Sequence, residues 1–215
     1  DDEPDIPTPI HLVMKRALCR NWKSLAQERI DGVHPHLPAG KNFWTLTKRE
    51  HSAIMRLMAQ PEMVELATQL QHRDNDAHVS PLDAAYWRKG CSSLGERRYA
   101  VLLDVDGETS DGEDMCLIDI KEAIKSVAPH APKVRMPRHH AKRVVEAATH
   151  LSPSLGHRMR AATLLGSEVF VRELLPQDLK IDIDRMGRKQ AARTAMFLAS
   201  VVGRAHARQI DAATR

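Results

Sequence analysis

From Leu82 onward the apolar residues of this chain recur at every second position, and that period confines the middle of the protein to β-strands. Tyr86-Trp-Arg-Lys-Gly-Cys-Ser-Ser-Leu-Gly95 reads as a strand end running into a turn of small residues, and Arg98–Val105 reads as the returning strand. An exposed acidic turn over 107–114 leads to a third strand around Leu117-Ile-Asp-Ile-Lys121-Glu-Ala. In Cys116–Glu122 the residues Cys116, Ile118 and Ile120 point to one side and Leu117, Asp119 and Lys121 to the other. The lysine is thereby carried on the face opposite the apolar triplet. Further on, 160–165, Gly166-Ser167 and 169–174 read as a hairpin ended by Pro176.

Around this core the period is helical. Thr8 and Pro9 open a helix with Met14, Leu18, Trp22 and Leu25 on one face and Gly32 beyond its end. Thr47-Lys-Arg-Glu50 has capping-box spacing and precedes the stripe Ile54, Leu57, Met58. Pro61 opens a helix that turns Met63, Leu66, Ala67 and Leu70 inward. A Pro/Gly-rich connection over 33–40 is docked by Phe43-Trp44. A helix after Pro137 buries Ala141, Val144, Val145 and Ala148, and a last one over 188–209 carries Ala192, Ala195, Met196, Ala199, Val202, Gly203 and His206 along one face. The expected organisation is a helical region over 1–80, a sheet with a helix over 81–180, and a C-terminal helix over 181–215.

Charge and composition narrow the functional classes. With 215 residues, 42% of them hydrophobic, the chain is long enough to bury a substantial core. No apolar run is long enough to span a membrane, and the opening Asp-Asp-Glu-Pro-Asp is the opposite of a basic signal-peptide start. Cys19, Cys91 and Cys116 lie far apart without a Cys-x-x-Cys pair, which disfavours a disulfide framework or zinc site and fits a cytoplasmic setting. The pairs His34/His36 and His139/His140 lack a third ligand at fixed spacing. A net charge of +4, from 32 basic and 28 acidic residues, disfavours nucleic acid as a partner. Asp104-Val-Asp106-Gly107 has the look of a phosphatase nucleophile motif, but Glu108 follows the glycine and another strand follows the turn, so a cluster of turn aspartates is the better reading.

The chemistry concentrates at the small-residue turn and at Lys121. Backbone N–H groups and hydroxyls of Gly90, Ser92, Ser93 and Gly95 can approach phosphate oxygens, and one ammonium at the end of a neighbouring strand can neutralise them. Strand, loop, strand and strand ending in lysine is the order in which kinase-like folds cover and pair the phosphates of ATP. Glu146, on the helix that follows, is the candidate partner that would hold Lys121, the alternative being a surface pair with Lys142. Glu173 and Leu175, in Glu173-Leu-Leu-Pro176, can offer backbone groups to an adenine ring. His206 reads as a core or boundary histidine, flanked by Arg204 and Arg208. The expected fold is α+β: an antiparallel sheet resembling a protein-kinase small lobe, with a helical N-terminal region and a C-terminal helix.

Several segments together resemble the bacterial family catalogued as domain of unknown function 2252, grouped with the protein-kinase-like and aminoglycoside-phosphotransferase-like superfamily. They are Phe43-Trp44 after Gly40-Lys41, Ala84 to Gly95, Tyr99 to Leu103, Leu117 to Ala123, Arg143-Val-Val145, Val169 to Lys180 and Ala205 to Gln209. The resemblance implies that 90–95 is the phosphate loop, Lys121 the strand lysine, Glu146 its helix partner and 173–176 the hinge. It also implies that the Gly-Asp-x-His-x-x-Asn and Asp-Phe-Asp motifs, which would supply the catalytic aspartate and the magnesium ligands, lie upstream of this segment; neither occurs in the 215 residues. The expected function is therefore the nucleotide-binding portion of a kinase-like phosphotransferase, inactive as it stands. It would bind ATP, with magnesium in the full-length parent, and act on an unknown acceptor. The alternative is a non-catalytic nucleotide-sensing or protein-interaction module.

Overall fold

The computed structural model describes residues 6–18, 36–37, 39–40, 42–69, 73, 76–88, 95–106, 115–127, 136–174, 181, 184 and 186–210. The chain divides into two compact units, Trp22–Leu175 and the pair of segments Asp1–Asn21 and Pro176–Arg215. In the larger unit the strands are β1 (Phe43–Trp44), β2 (Val79–Trp87), β3 (Arg98–Val105), β4 (Met115–Glu122), β5 (Met159–Leu164) and β6 (Ser167–Leu174), and the helices are α2 (Lys48–Met58), α3 (Pro61–Thr68), α4 (His140–Leu151) and α5 (Pro153–His157). The smaller unit contributes α1 (Thr8–Leu18) and α6 (Arg188–Ala207).

The six strands form one antiparallel sheet in the order β1-β2-β3-β4-β6-β5. Every residue of β3 is buried, as are the first six of β4, which is why these central strands read as nearly continuous apolar runs. One face carries Tyr99, Val101, Leu103, Cys116, Ile118, Ile120, Val169 and Val171, packed under Ile54, Leu57 and Met58 of α2 and Met63 and Leu66 of α3. The expected alternation in β4 is observed: its apolar triplet belongs to this core and Lys121 does not. A second cluster on the other face gathers Phe43, Ala85, Trp87, Ala100, Leu102, Leu117 and Leu174. Leu165 and Gly166 both have positive φ, 53° and 86°, the two-residue turn whose twist matches a right-handed hairpin, and it fixes the β5–β6 register.

The capping box is formed as its spacing predicts. Thr47 Oγ1 accepts from Glu50 N at 3.2 Å, and Glu50 Oε2 accepts from Thr47 N at 2.9 Å. Thr47→Ala should therefore cost about 1 kcal/mol in urea denaturation. A variant as stable as the parent would mean that packing of α2 onto the sheet alone fixes this helix end.

Three expectations need correction. Phe43-Trp44 is not merely a docked connection within a helical region. It is an edge strand, paired Phe43↔Trp87 and Trp44↔Tyr86, with rings stacked at 5.7 and 5.8 Å, and the period-two region begins at Val79. In α1 it is Ile10 that is buried, while Met14 is 48% exposed; Trp22, Leu25 and Gly32 lie outside the described residues. In α6 the buried residues are Thr194 and Ala205, and all seven positions of the expected face, His206 among them, are exposed. That face is mostly alanine and glycine, which remove little apolar area from water and so do not compel burial.

Candidate functional site

Strand register assembles a charged group in the middle of the second sheet face. Arg98 of β3 pairs with Lys121 of β4, and Lys121 pairs with Phe170 of β6; one step along, Asp119 pairs with Arg172. Residues directly opposite on neighbouring strands share a face, so three cations and one carboxylate meet on adjacent strands. Arg98 grips Asp119 with two bonds, Nε to Oδ1 at 2.7 Å and Nη2 to Oδ2 at 2.8 Å. Its guanidinium lies 4.3 Å from the centroid of the Trp87 ring. Arg172 Nε reaches Asp119 Oδ2 at 3.5 Å, and Lys121 Nζ stands 3.8 Å from the same oxygen and 5.9 Å from the Phe170 centroid.

The electrostatics follow from burial. Asp119 and Arg98 are almost wholly enclosed, with side chains 0% and 4% exposed, whereas Lys121 and Arg172 keep 18% and 27% of theirs. Burial holds the Lys121 ammonium below the usual lysine range; Asp119 opposes that shift, and Arg98 and Arg172 add to it. Among the described residues the Lys121 ammonium donates no hydrogen bond, and the acceptor within ion-pair reach is the Asp119 oxygen at 3.8 Å. One carboxylate among the described residues, Asp119, is in ion-pair reach of all three cations.

The loop that joins β2 to β3 leaves at Trp87 and returns at Arg98, the residue paired with Lys121, so loop and lysine share one end of the sheet. Its stems are held by Arg88 N donating to Asn42 O, Tyr86 Oη donating to Glu96 O, and Arg97 N donating to Glu122 Oε2. Gly95 has φ +83°, which favours glycine there. Gly90, Ser92 and Ser93 lie outside the described residues, as does Leu175.

Two predicted site residues are placed differently from expectation. Glu146 is not the partner of Lys121: its carboxylate is 54% exposed and pairs with His150 at 3.8 Å, one turn along α4. The helix presents Ala141 and Ala148 as its buried positions, which turns Glu146 outward. Nor does the bland alternative hold, since Lys142 is not its ion-pair partner. Glu173 sends its side chain to the face opposite Lys121, against Arg73 at 3.1 Å, while its backbone carbonyl accepts from Arg158 Nη2 at 3.1 Å.

Arg98 and Arg172 are the residues that sequence reasoning missed. Alternation already set Asp119 beside Lys121, but the arginines come from other strands, and only cross-strand register brings them in. A cleft of about 480 Å³ lies elsewhere, at the β1 edge, lined by Phe43, Trp44, Lys48, His51, Asp83 and Ala85. Asp83 in its wall is already engaged, its Oδ2 accepting from Leu37 N at 2.7 Å, so the charged group, whose ammonium donates no hydrogen bond among the described residues, is the better candidate for chemistry. Among the described residues no set of three or more His, Cys, Asp or Glu is placed to hold a metal, and no helix is long and apolar enough to cross a membrane.

The chain matches, over residues 3–215, the family described as "uncharacterized protein conserved in bacteria (DUF2252)". No curated protein and no solved structure matches it.

Proposed function

We propose that this chain, which belongs to the uncharacterized bacterial family DUF2252, is the nucleotide-binding portion of a kinase-like phosphotransferase. The observation that carries this reading is the half-buried ammonium of Lys121, which stands between two arginines and donates no hydrogen bond among the described residues. An anion with several oxygens would relieve the mutual repulsion of the cations and satisfy those donors together. The loop over 88–97 ends beside the same lysine, and its residue Gly95 carries a backbone conformation suited to glycine. That supports the order of phosphate loop and strand lysine expected of a kinase-like small lobe, with ATP as the ligand. Magnesium in such a site would neutralise phosphate charge. Among the described residues no group of three or more His, Cys, Asp or Glu is placed to hold it.

A non-catalytic nucleotide-sensing module is the second reading. It is favoured by the outward position of Glu146, which leaves the lysine without a partner from the helix. Titration with ATP, followed by thermal shift and calorimetry, tests the common premise. Lys121→Ala should weaken binding at least ~10-fold, the loss of one charge-assisted phosphate contact. Binding with unchanged affinity in Lys121→Ala would refute the site. Magnesium-dependent ATP consumption that is lost in the same variant separates enzyme from sensor.

A further inference from the structure

We infer that Asp119 is the residue that positions Lys121 for its anionic ligand, the part that sequence reasoning assigns to Glu146. The inference rests on the phosphate-binding reading above and adds to it the group that orients the lysine.

A long, flexible ammonium loses rotamer freedom when it is held, so a positioning partner has to be rigid itself. Glu146 is not: it sits on the exposed side of α4, and its contact with His150 joins two side chains more than half exposed. Asp119 has the opposite character. Its carboxylate is wholly enclosed, and both oxygens are fixed by the two-bond grip of Arg98. That guanidinium is in turn held over the Trp87 ring. Oδ2 is therefore a fixed negative point, with Arg172 Nε at 3.5 Å and Lys121 Nζ at 3.8 Å. At 3.8 Å the carboxylate attracts the ammonium without taking up one of its N–H donors. Asp119 lies two residues before Lys121 on one strand face, and the pleat sets that spacing.

Charge and position make opposite predictions here. If only net charge mattered, removing the Asp119 carboxylate would take one negative charge from beside Lys121 and Arg172 and tighten anion binding. If Asp119 positions the lysine, its removal weakens binding; on either account the lysine loses its proton at lower pH, because the group opposing its depressed pKa is gone, and that shift tells Asp119 from Glu146 as the carboxylate that governs it.

Calorimetry with inorganic triphosphate on the wild-type chain, Asp119→Asn and Glu146→Gln reads the first difference. NMR of 13C-methylated lysines, with the Lys121 signal assigned through Lys121→Arg, reads the second. We expect Asp119→Asn to bind about tenfold more weakly, as for one misplaced charge-assisted hydrogen bond, and to shift the Lys121 titration to lower pH. Glu146→Gln should match the wild type in both. Tighter binding by Asp119→Asn, an unmoved Lys121 titration in it, or weakened binding by Glu146→Gln overturns the inference. Should Asp119→Asn not fold, Asp119→Glu takes its place, keeping the charge but displacing the carboxylate by one methylene: weaker triphosphate binding than the wild type supports positioning, and unchanged binding overturns it. Absence of triphosphate binding by the wild type refutes the phosphate-binding reading alone, and the Lys121 titration then still decides whether Asp119 or Glu146 governs the lysine.

Discussion

Replacement of Glu173 by leucine is expected to destabilise the protein by about 3–5 kcal/mol, and simultaneous replacement of Arg73 by methionine to restore most of that loss. Glu173 is fully buried and Arg73 is 9% exposed, with Nη1 to Oε1 at 3.1 Å. Arg73 also donates to Ala67 O at 2.6 Å and to Met115 O at 3.3 Å, and so ties the segment after α3 to the start of β4. Cys116 Sγ, its thiol pushed well above the usual range by burial, lies 3.5 Å from the same Glu173 oxygen. Leucine at 173 strands the guanidinium in the core, whereas the double variant leaves two apolar side chains of similar volume. Burial also raises the Glu173 carboxyl above the ordinary value of 4.5, outweighing the opposing effect of Arg73. A raised carboxyl contributes stability that is complete below the ordinary range and is lost as pH rises through the folded value. Wild-type stability should therefore decline with rising pH above that range, and Glu173→Gln should remove this component of the slope. Urea denaturation over a pH series measures both effects. A leucine variant as stable as the parent, or a double variant no better than the single one, would show that the pair is not what holds this junction.

The buried pair was hidden from sequence reasoning because Arg73 and Glu173 are a hundred positions apart and meet only through tertiary packing. What was legible is local. The faces of β4, the capping box at Thr47 and the β5–β6 hairpin each follow from a pattern a few residues long. Lys121 was found in this way, and so was Asp119 as its neighbour on one face. Arg98 and Arg172 required the register between strands, which no local period encodes. The error at Glu146 has a different origin, because the helix itself was correctly expected. At 3.6 residues per turn, Glu146 stands about 140° round the axis from the buried Ala141, close to the opposite side. Glu146 therefore points away from the sheet, a rotation already implicit in the alanine spacing.

Adjacent residues of β4 should respond to truncation in opposite ways. Ile120 is 0% exposed, belongs to the core beneath α2 and α3, and pairs with Tyr99 on one side and Val171 on the other. Ile120→Ala leaves a cavity that close-packed neighbours fill only in part, at a cost of about 2–5 kcal/mol. Lys121→Ala deletes a side chain on the other face whose charged form is disfavoured by burial, and no hydrogen bond among the described residues is lost with it. Its effect on stability should lie within about 1 kcal/mol of zero. The sign is worked out from the depressed pKa: a lysine that is harder to protonate when folded costs stability at neutral pH, so the change leans towards stabilisation. Urea midpoints of the two variants, with the triphosphate titration run on both, separate scaffold from site. Ile120→Ala should lose stability yet bind in proportion to its folded fraction, while Lys121→Ala should stay folded and lose binding. If Lys121→Ala proves as costly to folding as Ile120→Ala, its ammonium is part of what holds the sheet together and is not reserved for a ligand.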